Sequence, residues 1–103
     1  MRAREQRLQY EWDENKDQSN QIRHGLSFAD ALSVFDDPSA LSRYDPDHSQ
    51  EEDRWITLGR NAVGMPVVVV HAVRGDELAE RIRIISARYA TKREEREYYS
   101  RIG

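Results

Sequence analysis

Residues 80–99 read ERIRIISARYATKREEREYY, and two periodicities stand side by side in them. Arg81-Ile82-Arg83-Ile84-Ile85-Ser86 is rich in β-branched residues, which suit a pleated, half-buried surface, and predicts a strand. Thr91 followed three residues later by Glu94 has the spacing of a capping box, in which each side chain satisfies the other's backbone N–H. A helix is therefore expected to start there. From Arg81 to the end there are seven basic side chains against Glu94, Glu95 and Glu97, a local charge of +4 in a chain whose total is −3.

The remaining charge is unevenly spread. Residues 1–53 carry 6 basic and 13 acidic side chains, while residues 54–80 balance. A polyanion responds to local potential more than to net charge, so the basic C-terminal segment is a candidate nucleic-acid surface and the acidic half a candidate partner for a basic protein. At 103 residues and 38% apolar content the chain suits one small domain, expected over residues 9–103 behind a flexible tail of residues 1–8. There is no cysteine, hence no disulfide and no thiolate metal site, and a cytoplasmic setting fits. No apolar run is long enough to span a bilayer, and MRAREQRLQYEW lacks the apolar core of a secretory signal.

In order along the chain, Gln9 to Trp12 alternates polar and aromatic residues and predicts a short first strand. Asp13 is placed to cap a helix over Glu14 to His24, closed by Gly25, with Ile22 its one core-like residue. Lys16, Asn20 and Arg23 recur on roughly one side of that helix and read as a solvated face or, alternatively, a functional one. Ser27 and Asp30 form a second capping box before Phe28, Ala31, Leu32 and Phe35, an amphipathic helical stripe that Pro38 ends. Leu41 to Asp45 is expected as a strand, followed by an acidic loop to Asp53. Strands are then expected at Trp55–Arg60, at Val67–Val73 (apolar on both faces, so central) and at Arg81–Ser86. Short connections favour an antiparallel meander. The fold class is α+β: an N-terminal strand and two helices, a sheet of about four strands, and a C-terminal helix.

The usual catalytic motifs are absent. Asp45, Asp47 and His48 lack the spacing of a calcium loop, and His24, His48 and His71 are scattered, so no metal site is expected. Period two places Arg54, Ile56, Leu58 and Arg60 on one face of their strand. It places Ile82, Ile84, Ser86 and Arg88 on one face of the last strand, with Arg81 and Arg83 on the other. His71 shares a face with Val67, Val69 and Val73. Arginines at strand ends are commonly solvated; the alternative is that Arg60, Arg88 and the basic helix start converge on a phosphate. Metal-free RNA cleavage needs little more. The neighbouring 2′-hydroxyl attacks, a base takes its proton, cations stabilise the charge on phosphorus, and an acid protonates the leaving 5′-oxygen. Spacing alone leaves both readings open.

An ordered set of motifs resembles one family. Glu11-Trp12-Asp13 with Lys16, Asn20, His24-Gly25 and Ser27-Phe28 comes first, then Val34-Phe35-Asp36-Asp37-Pro38 and Asp45-Pro46-Asp47-His48-Ser49. Arg54 with Leu58-Gly59-Arg60, the Val67–Val70 run, and Ile82 to Arg88 with Ala90-Thr91 and Arg93-Glu94 complete it. Together, from about Glu11 to Tyr99, they look like the BrnT toxin family. Departures from its pattern are Arg23 and Tyr89, each where lysine is usual, and the segment before Glu11. The resemblance implies a RelE-like ribonuclease toxin of a type II toxin–antitoxin system that stops translation without metal or cofactor. It also implies a BrnA-like ribbon–helix–helix antitoxin in a 2:2 complex that reaches operator DNA only through the antitoxin. Arg88 and Arg60 are then expected to stabilise the transition state, with His71, Glu94 and His24 competing for acid–base duty. Lys92, Arg93, Arg83 and Arg96 are expected to extend the contact with RNA. A non-catalytic, antitoxin-binding co-repressor is the alternative.

Overall fold

Val67 to Val69 can be covered on both sides, and the fold is arranged so that they are. A computed structural model describes residues 7–75 and 79–102. It is an α+β structure, with strands β1 (Arg7–Glu11), β2 (Leu41–Tyr44), β3 (Asp53–Arg60), β4 (Pro66–Gly75) and β5 (Ala79–Tyr89). Helices are α1 (Glu14–His24), α2 (Phe28–Ala31) and α3 (Lys92–Ile102). The sheet order is β1-β5-β4-β3-β2. β2 to β5 form the expected antiparallel meander, but the chain begins elsewhere: β1 lies parallel to β5 at the far edge. Residues 1–6 of the expected tail lie outside the described residues, whereas Arg7 and Leu8 already belong to β1. β4 runs past the expected strand end at Val73 to take in Arg74 and Gly75, and Asp76 lies outside the described residues. No described helix is long and apolar enough to cross a membrane.

One sheet face packs against α1 and α2. Its core comprises Val67, Val69, Ile82, Ile84 and Ala87 from the sheet with Leu26, Phe28, Ala31 and Val34 above them. α2 departs from the expected long helix: it is α-helical only to Ala31 and continues as a 3₁₀ helix over Leu32–Asp36. Three residues per turn put Ala31 and Val34 on one side, so Val34, outside the expected stripe, is fully buried while Leu32 and Phe35 are only partly so. This segment lies directly on β3. A Cβ on Gly59 would sit 2.9 Å from Val34 Cγ1, which only glycine avoids.

The opposite face carries a smaller cluster, Leu58 and Val68 under Tyr98 of α3. The division of β5 between the two faces differs from strict alternation. Opposite Val70 and His71 the register slips by one residue: Val70 pairs with Ser86 but His71 with Ile84, leaving Ile85 as the extra residue of a β-bulge. Ile82, Ile84 and Ala87 thereby share the α1–α2 face. Arg81 and Arg83 join Ser86 and Arg88 on the α3 face, which corrects the expected split.

α1 also departs from expectation. Asp13 Oδ1 caps it by accepting from Asn15 N–H at 2.8 Å, and Gly25 closes it at φ 68°. Ile22, however, is 89% exposed. The buried residues are Asp17 and Asn20, so Asn20 does not belong to a solvated face. Asp17 accepts the Phe28 N–H at 2.8 Å. The Asn20 amide donates to Leu26 C=O and Ala87 C=O, both at 2.8 Å, and accepts from Ala87 N–H at 3.2 Å. Beyond the end of β1, this side chain occupies the edge of β5 as a further strand would. Asn20→Ala strands three buried backbone groups, and a loss of about 2–4 kcal/mol in urea unfolding is expected.

His71 sits on the α1–α2 face, 5% exposed, with Phe35 edge-on to its ring at 4.9 Å. Its Nε2 meets Thr57 Oγ1 at 2.8 Å, and Thr57 Oγ1 meets Ser42 Oγ at 2.7 Å. Burial holds the imidazole below its ordinary 6.5, at about 4. Between those values the unfolded chain binds a proton that the folded chain refuses, so stability present above pH 6.5 is lost as pH falls towards 4. That loss is on the order of 3 kcal/mol. His71→Gln is expected to flatten this window relative to the parent when urea midpoints are compared from pH 7 to 4.

Candidate active site

The basic residues of the C-terminal segment come together because β5 and α3 are joined almost without a loop. β5 ends at Tyr89 and α3 begins at Lys92. The capping box forms as its spacing predicts: Glu94 N–H donates to Thr91 Oγ1 at 3.2 Å, and Thr91 N–H to Glu94 Oε1 at 2.8 Å. The same carboxylate receives Arg88 in a two-pronged pair, Nη1 to Oε1 at 2.8 Å and Nη2 to Oε2 at 3.0 Å. Two parallel charge-assisted bonds fix the plane of the guanidinium as well as its distance. Hydrogen bonding from Arg88, joined by the Thr91 N–H, pulls the Glu94 pKa down to about 2 against the cost of desolvation, and Glu94 raises that of Arg88. Glu94 is thus ionised at neutral pH. It has no proton to donate there, and so low a pKa also makes it a weak acceptor of one.

Arg60 ends β3 on the same sheet face. Its guanidinium carbon lies 5.7 Å from the centre of the Tyr98 ring, and Tyr98 is fully buried. The Tyr98 hydroxyl donates to Asp37 Oδ2 at 2.5 Å, and the Arg60 backbone N–H donates to the same oxygen at 2.8 Å. Burial pushes the Asp37 carboxyl up, but the Tyr98 hydroxyl and the N–H groups of Arg60 and Ser39 outweigh it and leave the pKa lowered. Tyr98, beside it, is the chief cause of a raised Arg60 pKa. Glu94 and Tyr98 are one helical turn apart, so both arginines, from strands either side of β4, meet one face of α3. Beside them a cleft of about 310 Å³ opens between α3 and β2–β3, floored by Leu41, Ile56, Leu58 and Val68 and walled by Arg43, Glu94, Glu97 and Arg101.

The other expected site residues divide. Lys92, Arg93 and Arg96 are exposed on α3, next to the Arg88–Glu94 pair in sequence. Arg83 reaches the α3 face through the bulge and pairs with Glu52, which also accepts from Arg74 Nε and Nη2 at 3.0 and 2.8 Å. His71 is not part of this constellation. The sheet lies between it and Arg88, and its lowered pKa leaves it neutral. His24 closes α1 in the helical layer on that same far side. Of the three acid–base candidates, only Glu94 touches a candidate arginine.

Three residues that hold the arginines were given no site role from sequence: Asp37, Tyr98 and Glu52. Tyr98 carries a signal, standing four residues after Glu94 on the same helical face. Asp37 contacts Tyr98 across 61 positions and has none. The Asp45-Pro46-Asp47-His48-Ser49 motif closes on itself: His48 Nδ1 lies 2.8 Å from Asp45 Oδ2, and Ser49 Oγ donates to Asp45 C=O at 2.5 Å.

No curated protein matches the chain. Residues 12–94, running from the start of the helical layer through β5 to the Glu94 carboxylate, match the family described as "Ribonuclease toxin, BrnT, of type II toxin-antitoxin system". The match takes in Arg60, Asp37, Arg88 and Glu94, though not Tyr98, and covers most of the sequence, and the chain therefore belongs to the BrnT family of ribonuclease toxins, which act within a toxin–antitoxin system.

Proposed function

We propose that this toxin is an endoribonuclease that cuts RNA without a metal ion and so arrests translation in the cytoplasm. The observation that carries the reading is the Arg88–Glu94 pair at the start of α3. A guanidinium held in a fixed plane, half-exposed, and flanked by Lys92 and Arg93 is suited to the charge that builds on phosphorus as the 2′-hydroxyl attacks. Arg60, one helical turn along α3, supplies a second cation. Glu94 orients Arg88; with its pKa held at about 2 and both oxygens engaged, it is neither the acid nor an effective base, and the 2′-hydroxyl proton is taken by another group. The 5′-oxygen leaves with a proton from elsewhere, and the attacking oxygen closes a cyclic phosphate, so no water is consumed in the first step.

The partner in this reading is a BrnA-like ribbon–helix–helix antitoxin in a 2:2 complex, with operator DNA reached only through the antitoxin. Residues 1–53, acidic in balance, offer complementary charge for a basic antitoxin segment.

The test is induced expression of the toxin alone beside the Arg60→Ala/Arg88→Ala double variant, following growth and total RNA. Arrest with RNA breakdown in the parent only is expected, and the purified variant should cleave at least about 100-fold more slowly. Cleavage should persist in EDTA. Arrest by both proteins would place the activity elsewhere in the chain, and arrest by neither would favour a non-catalytic co-repressor.

Glu94→Gln keeps the capping box but loses the ion pair, so the fold should survive while cleavage falls about tenfold. The stabilisation by Glu94 is present above its ordinary pKa of 4.5 and is lost as pH falls towards 2. Parent and variant stabilities should therefore converge across that window in urea titrations.

A further inference from the structure

The bulge in β5 has a second effect, at the end of the sheet away from Arg60. Arg54 of β3 pairs with Ala72 of β4, and Ala72 with Arg83 of β5. A row across three strands therefore reads Arg54–Ala72–Arg83. Strands lie about 4.8 Å apart, so the two arginine Cα atoms are about 10 Å apart on one face, either side of the shortest side chain in the row. Ala72 is fully buried, as a methyl group beneath two long side chains would be.

The charges in this row are incompletely matched. Arg54 is held through its backbone, with its N–H donating to Ser49 Oγ at 3.0 Å, and its guanidinium has no partner among the described residues. Arg83 shares Glu52 with Arg74, and the buried Arg83 Nε has no partner among the described residues. Across β5, Glu11 of β1 pairs with Arg83 in register. Between this row and Arg88, the β4 residues Val68 and Ala72 are four apart, about 13 Å along the strand. The floor in between is Ile56, Val70 and Ser86, with no aromatic ring on which a base could stack.

We propose that Arg54 and Arg83 form a second phosphate-binding position, which holds the backbone of single-stranded RNA about 13 Å from the cleavage point at Arg88. This rests on the ribonuclease reading above and adds the path of the substrate over the α3 face. Glu52 competes with RNA for Arg83, so it tunes affinity. With guanidinium groups as ligands and no stacking platform, the position grips phosphate and is indifferent to base.

The probe is a labelled single-stranded 2′-O-methyl RNA oligonucleotide, which lacks the attacking hydroxyl, titrated by fluorescence anisotropy over a range of salt. Arg54→Ala and Arg54→Gln are each expected to weaken binding about tenfold and to reduce the salt slope by about 0.7, the value of one phosphate contact to a single strand. The loss should be equal for two oligonucleotides of unrelated sequence. Glu52→Gln is expected to tighten binding. Thermal unfolding of each variant shows that it is folded, and Arg54→Gln keeps much of the apolar stem should alanine prove disruptive. Parental affinity and slope in both Arg54 variants, with Arg88→Ala still impaired, would overturn the second position and leave the ribonuclease reading standing. No salt-dependent binding by the parent would overturn both.

Discussion

The hydrogen-bonded ladder between β4 and β5 loses step once, opposite Val70 and His71, and most of the structure follows from that slip. In a regular ladder the residues of Ile82-Arg83-Ile84-Ile85-Ser86-Ala87-Arg88 would alternate strictly. The face that receives Ile82 and Ile84 would then also receive Ser86 and Arg88. Burying that guanidinium under Phe28 and Val34 would cost far more than the isoleucines return. One looped-out residue resolves the conflict. Ile82, Ile84 and Ala87 line the larger core, while Arg83 and Arg88 stay on the other face, where α3 and the acidic Glu52 and Glu94 meet them.

The parts of this arrangement legible in sequence are those set by neighbours a few residues apart. The Thr91–Glu94 capping box, the Asp13 cap with the left-handed Gly25, and the doubly covered β4 are local statements, and each holds; of the Ser27–Asp30 box only the Ser27 cap forms. The α+β class follows from their order. The parallel pairing of β1 depends on a contact with β5 across some seventy residues, which no local pattern records. The bulge leaves no signature either, since Ile84-Ile85 reads equally well as regular strand. At the site, Arg88 and Glu94 are six positions apart and both stand out from the sequence, but their bond requires the abrupt turn between β5 and α3. Asp37 and Tyr98 meet only in three dimensions.

α1 shows a different limit of sequence reading. A scarcity of apolar residues predicts weak attachment, and the one isoleucine faces solvent. The helix is held instead by Asp17 and Asn20, whose hydrogen bonds are directional where apolar contact is not. Such anchors set the rotation and register of α1 against β5 with little buried surface. His71 and Thr57 are the counterpart inside the sheet, a polar pair in an apolar layer, and the histidine stays neutral because it has no room for charge.

Glu94 closes the first turn of α3 and also sets the plane of Arg88, with Oε1 shared between the Thr91 N–H and an Arg88 nitrogen. A scaffold contact and a functional contact thus hang on one atom. The two cannot drift apart over evolution: a change at Thr91, a residue assigned no contact with RNA, is transmitted through that oxygen to the guanidinium six residues before Glu94. The start of α3 is therefore under the constraint of the reaction as much as of the fold, and its tolerance to substitution is set by chemistry taking place a turn away.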